Sequence, residues 1–438
     1  MAESVKGEKG DSLKIAQDAV DKLYDYRDHY FERNDLNRAI HKTEDVSKEM
    51  EKTLSLLNKL QEEVQNKALY LMLQGKTLNV LPRYEAGAFD ALSRAVKLDP
   101  KLVEAWNQLG ECYWKNKDVD AARNCFTGAL NHSKNKVSLR NLSMVLRQIG
   151  SDPTEKIKHI QESVEIAKEA VQMDISDGTS WFILGNAYLS FFFASGQNPQ
   201  ILRQCLRAYT QAERDSVANC NPDLHYNRSI AYKYQEEYQL ALIGFSRACA
   251  LEPTWHEPQD KLKQLVDYLS KVTDLVDHKG RVKSKRLQGM IKAIGDKDLG
   301  PYGGGSYTSH KGDTVKLDHI PLSRLAIGLN GEKVVLGKVV CSVAIEDPIP
   351  FTFAMVDAEG TCFAVTVYNI APGYGVIIGD TVAIPEPYAQ LNQVEHDGKT
   401  YKFYSLRVET PMMMVVNGKK LGVDKQAPSV LSVSAKSE

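Results

Sequence analysis

Asn107, Arg147, Asn186, Asp223, Tyr226 and Glu257 are the residues of this sequence best equipped to hold a peptide. Asparagine amides pair with the backbone of an extended chain. Arg147 can fork onto a carboxylate. Asp223 and Glu257 can accept from a guanidinium or from a free amino terminus. Together they ask for a ligand that carries both signs of charge. A second group is cationic: Lys279, Arg281, Lys283, Lys285 and Arg286 crowd one short stretch, HKGRVKSKR. Contact with phosphate, a nuclear-localisation signal and a solvated helix end are the three readings of such a run. The stretch GYGVIIG (Gly373, Gly375, Gly379) looks like a nucleotide loop but lacks the GxGxxG spacing and the strand-to-helix setting. Glu257 and Asp260 could pose as paired carboxylates, yet acidic residues beside a helix start are more often caps and dipole partners. The histidines show no HExxH or HxH spacing, and no nucleophile, base and orienter stand together. An enzyme is therefore not expected, and neither is a metal or an organic cofactor.

The elements that must position these groups come from an internal repeat. Trp106, Leu109, Gly110, Tyr113, Ala122, Phe126 and Ala129 fall at positions 4, 7, 8, 11, 20, 24 and 27 of a tetratricopeptide repeat. Large residues at 4, 7 and 11 make one face of the first helix. A small residue at 8 lets the second helix approach, and an aromatic at 24 fills the space between them. Further copies carry Ala88, Leu92, Ala95 and Pro100, then Trp181, Leu184, Gly185 and Tyr188, then His225, Ser229, Tyr232, Ala241, Phe245 and Pro253. A degenerate copy runs through Leu142 to Ala170, and Trp255 opens a possible last pair. Groove-facing positions of this repeat select Asn107 and Glu111; Arg140, Met144 and Arg147; Phe182 and Asn186; Asp223, Tyr226 and Lys233. The set departs from the lysine-rich clamp that grips C-terminal carboxylates.

Composition changes after about Leu299. PYGGGSYTSHKGD reads as a linker. From Lys333 the alternation has period two, in KVVLGKVVCSVAI, PFTFAMVD, CFAVTVYNI, DTVAIPEP, TYKFYSLRVE and MMMVVNG. Five or six such strands read as a small antiparallel barrel of the OB type. The expected fold is thus an α-helical tetratricopeptide-repeat solenoid followed by a C-terminal all-β OB barrel. The domain reading is 1–66 as a capping helical region, 67–295 as the solenoid of five to six helix pairs, 296–315 as a linker, 316–423 as the barrel and 424–438 as a disordered tail. Net charge is −1, so no global attraction to nucleic acid or to a membrane is expected. Seven scattered cysteines without a CxxC pair suit a reducing compartment. No apolar run is long enough to span a bilayer, and no membrane partner is expected. Seven Lys/Arg against ten Asp/Glu between Glu332 and Lys420 argue against a DNA-binding barrel and favour protein contacts.

The repeats, the stretches KVSLRNLSMVLRQ and NPDLHYNRSIAYKY, the basic HKGRVKSKR and a barrel opening with PFTFAMVD together resemble the Strap family of stress-responsive cofactors. The resemblance covers nearly the whole chain. It implies association with a histone acetyltransferase coactivator and with an actin-nucleating cofactor, in nucleus and cytoplasm, with roles in transcription and the DNA-damage response. It also implies tubulin autoregulation: the groove reads the N-terminal Met-Arg-Glu of nascent tubulin at the ribosome, and tubulin mRNA then decays. In that case Arg147, Asp223 and Glu257 are the matching groove residues. Lys283 and Lys285, with Arg281 and Arg286 beside them, match the ribosome contact. A chromatin or transcription scaffold acting through the barrel, with DNA binding, is the alternative.

Overall fold

The structure, a computed structural model, describes residues 2–304, 307–308, 314–344 and 350–427, the side chains of 2–11 and 307–308 excepted. It divides into two compact units. The first comprises the chain up to Ala231 together with Arg247–His256; the second comprises Tyr232–Ser246 and the chain from Glu257.

Helices α1 (Ala2–Asp28), α2 (Tyr30–Arg33) and α3 (Lys42–Leu60) precede the repeats. Then α4 (Lys67–Leu78) packs on α5 (Ala86–Leu98), α6 (Val103–Lys115) on α7 (Val119–His132), α8 (Lys136–Leu146) on α9 (Pro153–Met173), and α10 (Gly178–Ala194) on α11 (Pro199–Ala212). Polar residues start them: Asn66, Asp118, Asn135, Asp152, Asp177 and Asn198 each accept from a backbone N–H of the following first turn. Glycine at position 8 has the expected physical cause. A Cβ on Gly75 would sit 2.5 Å from Leu92, and one on Gly185 would sit 2.6 Å from the Tyr209 ring; Gly110 meets Phe126 in the same way. Ala16, Val20 and Leu57 of α1 and α3 join the core of α4 and α5, so the N-terminal pair covers the first repeat. Ser195–Asn198, with Gly196 and Gln197 at positive φ, separates a lengthened α10 from α11.

Helices α12 (Pro222–Tyr234), α13 (Tyr238–Leu251), α14 (His256–Asp277) and α15 (Ser284–Lys292) complete the helical set. Trp255 precedes one 22-residue helix rather than a last helix pair.

Short strands β1 (Tyr307–Thr308), β2 (Thr314–Val315), β3 (Asp318–His319) and β4 (Gly328–Leu329) lead into the barrel. Its body is β5 (Lys333–Ser342), β6 (Phe351–Val356), β7 (Cys362–Val367), β8 (Thr381–Pro385), β9 (Tyr388–His396) and β10 (Lys399–Val408), followed by β11 (Val415–Val416) and β12 (Lys419–Lys420). β5, β6 and β7 form an antiparallel meander, and β10 returns parallel to β7. β8 pairs with β5 while β9 pairs with β10. Between them Glu386 takes φ 43 ahead of Pro387, so β8 and β9 act as one strand bent across the barrel corner. That is the connectivity of an OB barrel. Its interior holds Val335, Val339, Phe353, Met355, Val365, Val382, Ile384 and Leu406.

Both outer faces of this barrel are covered within the second unit. The outward residues of β6 and β7, Thr352, Ala354, Val356, Ala364 and Thr366, are buried, as is Tyr368 just beyond β7. Tyr268 of α14 shares a hydrogen bond with Thr352 (3.2 Å), and the Tyr368 hydroxyl donates to Glu236 (2.9 Å). On the other side, Leu299 and Tyr302 of a 3-10 turn (Asp296–Tyr302) pack on Val334, Leu336, Ala383 and Val415. The start of the expected linker is therefore part of the barrel's second core: Leu299 and Tyr302 are apolar enough to be drawn in. The rest of that linker lies largely outside the described residues. Of the expected tail, Asp424–Ala427 is placed, with Gln426 bridging Ile370; the residues from 428 lie outside the described chain.

Candidate functional site

A cavity of about 400 Å³ lies inside the first unit. Glu111 and Phe182, both selected by the groove pattern, line it, as do Asn221 and Pro222 beside Asp223. Arg27, Asp28 and Lys42, brought by α1 and by the first residue of α3, line it as well. Lys115 and Glu252 complete the charged lining; Val46, Val80, Leu81, Val217 and Leu251 supply apolar surface. Three cations thus face three carboxylates around one hollow.

The N-terminal contributors carried no motif, and the sequence reasoning missed them. Only the curl of the solenoid brings Arg27 and Lys42 near Cys220 and Glu252. Arg27 Nε donates to Asp28 (2.7 Å), and its guanidinium stands 4.3 Å from the Tyr24 ring centre. Burial is the largest influence and opposes the Arg27 charge, but Asp28, Tyr24 and Glu111 together outweigh it and hold the guanidinium above its ordinary value. Burial pulls the Lys42 amine down, with Arg27 adding to the effect. Lys42 Nζ lies 4.9 Å from the Phe31 ring. Lys115 is pulled down by burial and is spent structurally: its amine donates to Asn79 O, Asn79 Oδ1 and Leu81 O at 2.6, 2.7 and 2.7 Å. It therefore fixes the turn after α4.

The groove residues expected from sequence divide by burial. Asn107 is buried, and its Oδ1 accepts from the Ser138 hydroxyl of the next repeat at 2.7 Å. Asn186 is buried, and its Oδ1 accepts from the Tyr209 hydroxyl at 2.7 Å and from Asn227 Nδ2 at 3.1 Å. Both amides stitch neighbouring helices together. Arg140 is held by Asp177 at 2.8 Å. Arg147 is half-buried at the end of α8, Asp223 lies in the first turn of α12, and Tyr226 packs its ring 4.8 Å from Trp255. Glu257 lies in the first turn of α14 and belongs to the second unit.

His225 repeats a structural motif of its position. Trp106 Nε1 donates to Pro100 O at 2.7 Å, Trp181 Nε1 donates to Ile175 O at 2.9 Å, and His225 Nε2 donates to Asn219 O at 2.8 Å. Each reaches the carbonyl six residues earlier. The carbonyl can only accept, which fixes the proton on Nε2. Burial pulls the imidazole below its ordinary value.

In the second unit the basic run is unevenly available. Arg281 forks onto Asp274 at 2.8 and 3.1 Å, and Lys279 stands over the turn at Gly360. Lys283, Lys285 and Arg286 are exposed at the start of α15. The GYGVIIG stretch follows β7 and precedes β8 with no helix after it. All seven cysteines are free thiols. Among the described residues no group of three or more His, Cys, Asp or Glu could hold a metal ion, and no helix is long and apolar enough to cross a membrane.

Comparison with known proteins places these features. A family model described as the tetratricopeptide repeat protein 5 OB fold domain matches residues 316–430. Curated relatives named tetratricopeptide repeat protein 5 from Homo sapiens and Bos taurus are each 53% identical over 422 residues, covering 96% of both chains. The Mus musculus relative is 52% identical over the same span. Among solved structures, a thermophilic TPR protein of Thermus thermophilus aligns with 45% of this chain and 98% of its own at 16% identity, with a TM-score of 0.39. With more than half of its residues shared along nearly its full length, the chain belongs to the tetratricopeptide repeat protein 5 family, adaptors that join a repeat solenoid to an OB barrel.

Proposed function

We propose that the solenoid is a reader of a short peptide carrying both an amine or guanidinium and a carboxylate, the N-terminal Met-Arg-Glu of nascent tubulin being the ligand. The observation that carries this reading is the cavity of the first unit, whose lining combines Arg27 and Lys42 with Glu111 and Glu252 and with apolar residues that include Phe182. Alternating charge over apolar surface suits a zwitterionic peptide better than an all-acidic tail. Outside that lining, Arg147 is assigned to the ligand's carboxylate, and Asp223, next to the lining residue Pro222, and Glu257 to its guanidinium or amine. Asn107, Asn186 and Tyr226, which lie outside the cavity lining, hold the helices that carry it. Lys283 and Lys285, with Arg286, are assigned to phosphate contact at the ribosome. The protein would then act as a non-enzymatic adaptor between a nascent chain, the ribosome and the machinery of mRNA decay.

The test is binding of a labelled Met-Arg-Glu-Ile peptide to the full chain. Arg147→Ala, Asp223→Ala and Glu257→Ala should each weaken binding by roughly 10-fold or more, as expected for a desolvated charge pair. Acetylating the peptide amine should do the same. Binding that survives Arg147→Ala and Asp223→Ala unchanged would reject the reading.

A second surface suits the coactivator and the actin-nucleating cofactor, in nucleus as well as cytoplasm, in a stress and DNA-damage role. Ile327, Leu329 and Tyr388 are exposed along β4 and β9 of the barrel at 61, 69 and 43%. Exposed apolar clusters of this kind mark protein contacts. Capture of a histone acetyltransferase coactivator should fall in Ile327→Asp/Leu329→Asp while the peptide still binds. Undiminished capture would remove the barrel from that role.

A further inference from the structure

One edge of β9 is left open among the described residues. The opposite edge pairs with β10 along its whole length, from Tyr388 with Arg407 to His396 with Lys399. On the open side β4 pairs only with Ala389 and Tyr388. The pairing stops there because the Asn330 side chain takes the backbone that precedes β4. Its Oδ1 accepts from Ala326 N at 2.9 Å, and its Nδ2 donates to Ala326 O at 2.9 Å and to Gly328 O at 3.0 Å. At the far end of β9 the Gln239 side chain of α13 accepts from Glu395 N at 2.8 Å. Backbone groups of an antiparallel strand point alternately to its two sides. Pro387 O accepts from Asn330 N on the open side and Glu395 N is held on it, so the groups of Leu391 and Gln393 face it too. Among the described residues no strand pairs with either of them there.

We propose that residues 390–394 take up an extended segment of a partner protein as an added strand, antiparallel to β9 as β4 is. Edge strands are ordinarily blunted by a charge, a proline or a bulge, and an edge without them is a template for another chain. The stretch QLNQV carries no charge and no proline, and its ladder with β10 runs without a bulge. Main-chain pairing to such an edge is a recurrent way to hold a peptide. The window has two limits: Gly328 occupies the edge at Ala389, and Gln239 caps it at Glu395. What lies between is roughly 17 Å long at ~3.4 Å per residue. The open stretch lies beyond Gly328 and Leu329, so it is distinct from the apolar surface assigned above to coactivator capture.

The flanking side chains state what the segment carries. Leu391 lies opposite Tyr404 on β10, and the two are 38 and 41% exposed. They belong to the face whose next residues, Ala389 and Leu406, line the barrel interior, so the interior row here runs out into solvent. The Tyr404 ring stacks on Phe363 at 5.0 Å with planes 11° apart. A partner residue opposite Leu391 extends this apolar surface and is itself apolar. Gln393 follows on the same face, opposite Lys402. Lys402 is exposed and makes no ion pair among the described residues. A partner residue opposite Gln393 meets that ammonium and is acidic. Read from its N-terminus, an antiparallel segment therefore carries an acidic residue, any residue, then an apolar one.

The test uses the full chain and a fluorescein-labelled peptide, Ser-Thr-Glu-Thr-Val-Thr-Ser, with two relatives: one N-methylated at Glu and Val, and one with Lys in place of Glu. N-methylation removes the two donors that pair with Gln393 O and Leu391 O and should weaken binding by about 10-fold or more. Gln393→Pro removes one outward N–H without touching the ladder to β10 and should cost about 5-fold. Lys402→Glu should weaken the Glu peptide by about 3-fold and strengthen the Lys peptide by about the same factor, with melting temperatures unchanged. Hydrogen exchange resolved to single amides should find Leu391 and Gln393 unprotected in the free chain and protected with the peptide bound. Equal binding of the N-methylated peptide would overturn strand addition. An unchanged preference for the Glu peptide in Lys402→Glu would overturn the partner chemistry. Protection of the two amides in the free chain that rises with protein concentration would give the edge to a second copy and overturn the proposal, as would binding of none of the peptides.

Discussion

In the first unit Phe126 is buried by Gly110 of its own helix pair; in the second, Tyr368 is buried against Glu236, 132 residues away along the chain. The solenoid solves its packing locally and repeats the solution. The barrel unit solves it once, with partners gathered from α13, α14 and the strands and turns of one sheet. Stability in the solenoid should therefore be a sum over neighbouring repeats. In the barrel unit it should be cooperative, because no piece of its core closes alone.

That contrast can be broken most forcefully at Phe126. Phe126→Ala should cost about 3–5 kcal/mol in the first unit while amide protection of β5–β10 stays at its wild-type level. Hydrogen exchange resolved by segment measures both, and a parallel loss in the barrel would end the distinction. Next comes Arg407, whose guanidinium reaches Tyr234 O at 2.8 Å and Glu236 at 3.2 Å and lies 4.1 Å from the Tyr368 ring centre. Glu236 is fully buried, so Arg407→Ala leaves a carboxyl without its counter-charge and should cost about 3 kcal/mol. The loss should spread through all the barrel strands at once. Protection lost only near Glu236 would show that this unit, too, is local.

The two units should also answer pH in opposite directions. Burial pulls the His225 imidazole down, so its contribution to the first unit is present above its unfolded value, about 6.5, and is lost as pH falls through the lower folded value. Burial pushes the Glu236 carboxyl up, against the pull of Arg407. Its contribution is full below about 4.3 and is lost as pH rises through the raised folded value. Chemical denaturation followed unit by unit from pH 4 to 8 should give stability rising with pH for the first and a falling component for the second. Glu236→Gln should flatten the falling component alone. Two slopes of the same sign would contradict the assignment. The smallest expected effect is at Tyr209→Phe, which removes one buried hydrogen bond to Asn186 and should cost about 1 kcal/mol. Unchanged peptide affinity in that variant would confine Asn186 to a wall role.

The solenoid was legible because its constraint is short-ranged. Gly110, Phe126, Trp106 and Ala129 recur at fixed spacings since each pair of helices must meet in the same geometry. Most barrel strands were legible from alternation, but β9 was not: YAQLNQVEH carries Gln390, Asn392 and Gln393 where apolar residues would have marked a strand, and Asn392 is buried because Ser405 accepts from it at 2.8 Å. The candidate site was half legible. Glu111 and Phe182 follow from the groove pattern. Arg27 and Lys42 do not, since nothing near them in sequence says that α1 and α3 come round to the far repeats. Asn107 and Asn186 were read as ligand-facing from their position, yet each has a hydrogen-bonding partner on another helix, Ser138 of α8 and Tyr209 of α11, that sequence spacing does not reveal.

The sequence by itself determined the class of each half, because helix and strand periodicity and the steric demand for glycine under an aromatic ring act over a few residues. It also determined the density of charge in the basic run. Tertiary structure alone decided which charges remain available. Arg281 is neutralised by Asp274 while Lys283 and Lys285 are not. The same folding sealed the outward face of β6 and β7, and it joined the turn around Lys297 to the end of the barrel. Arg281 and Asp274 lie only seven residues apart, but the sealing of β6 and β7 and the docking of that turn rest on partners 84 to 132 residues apart, and packing partners at that range leave no spacing in the chain to be read.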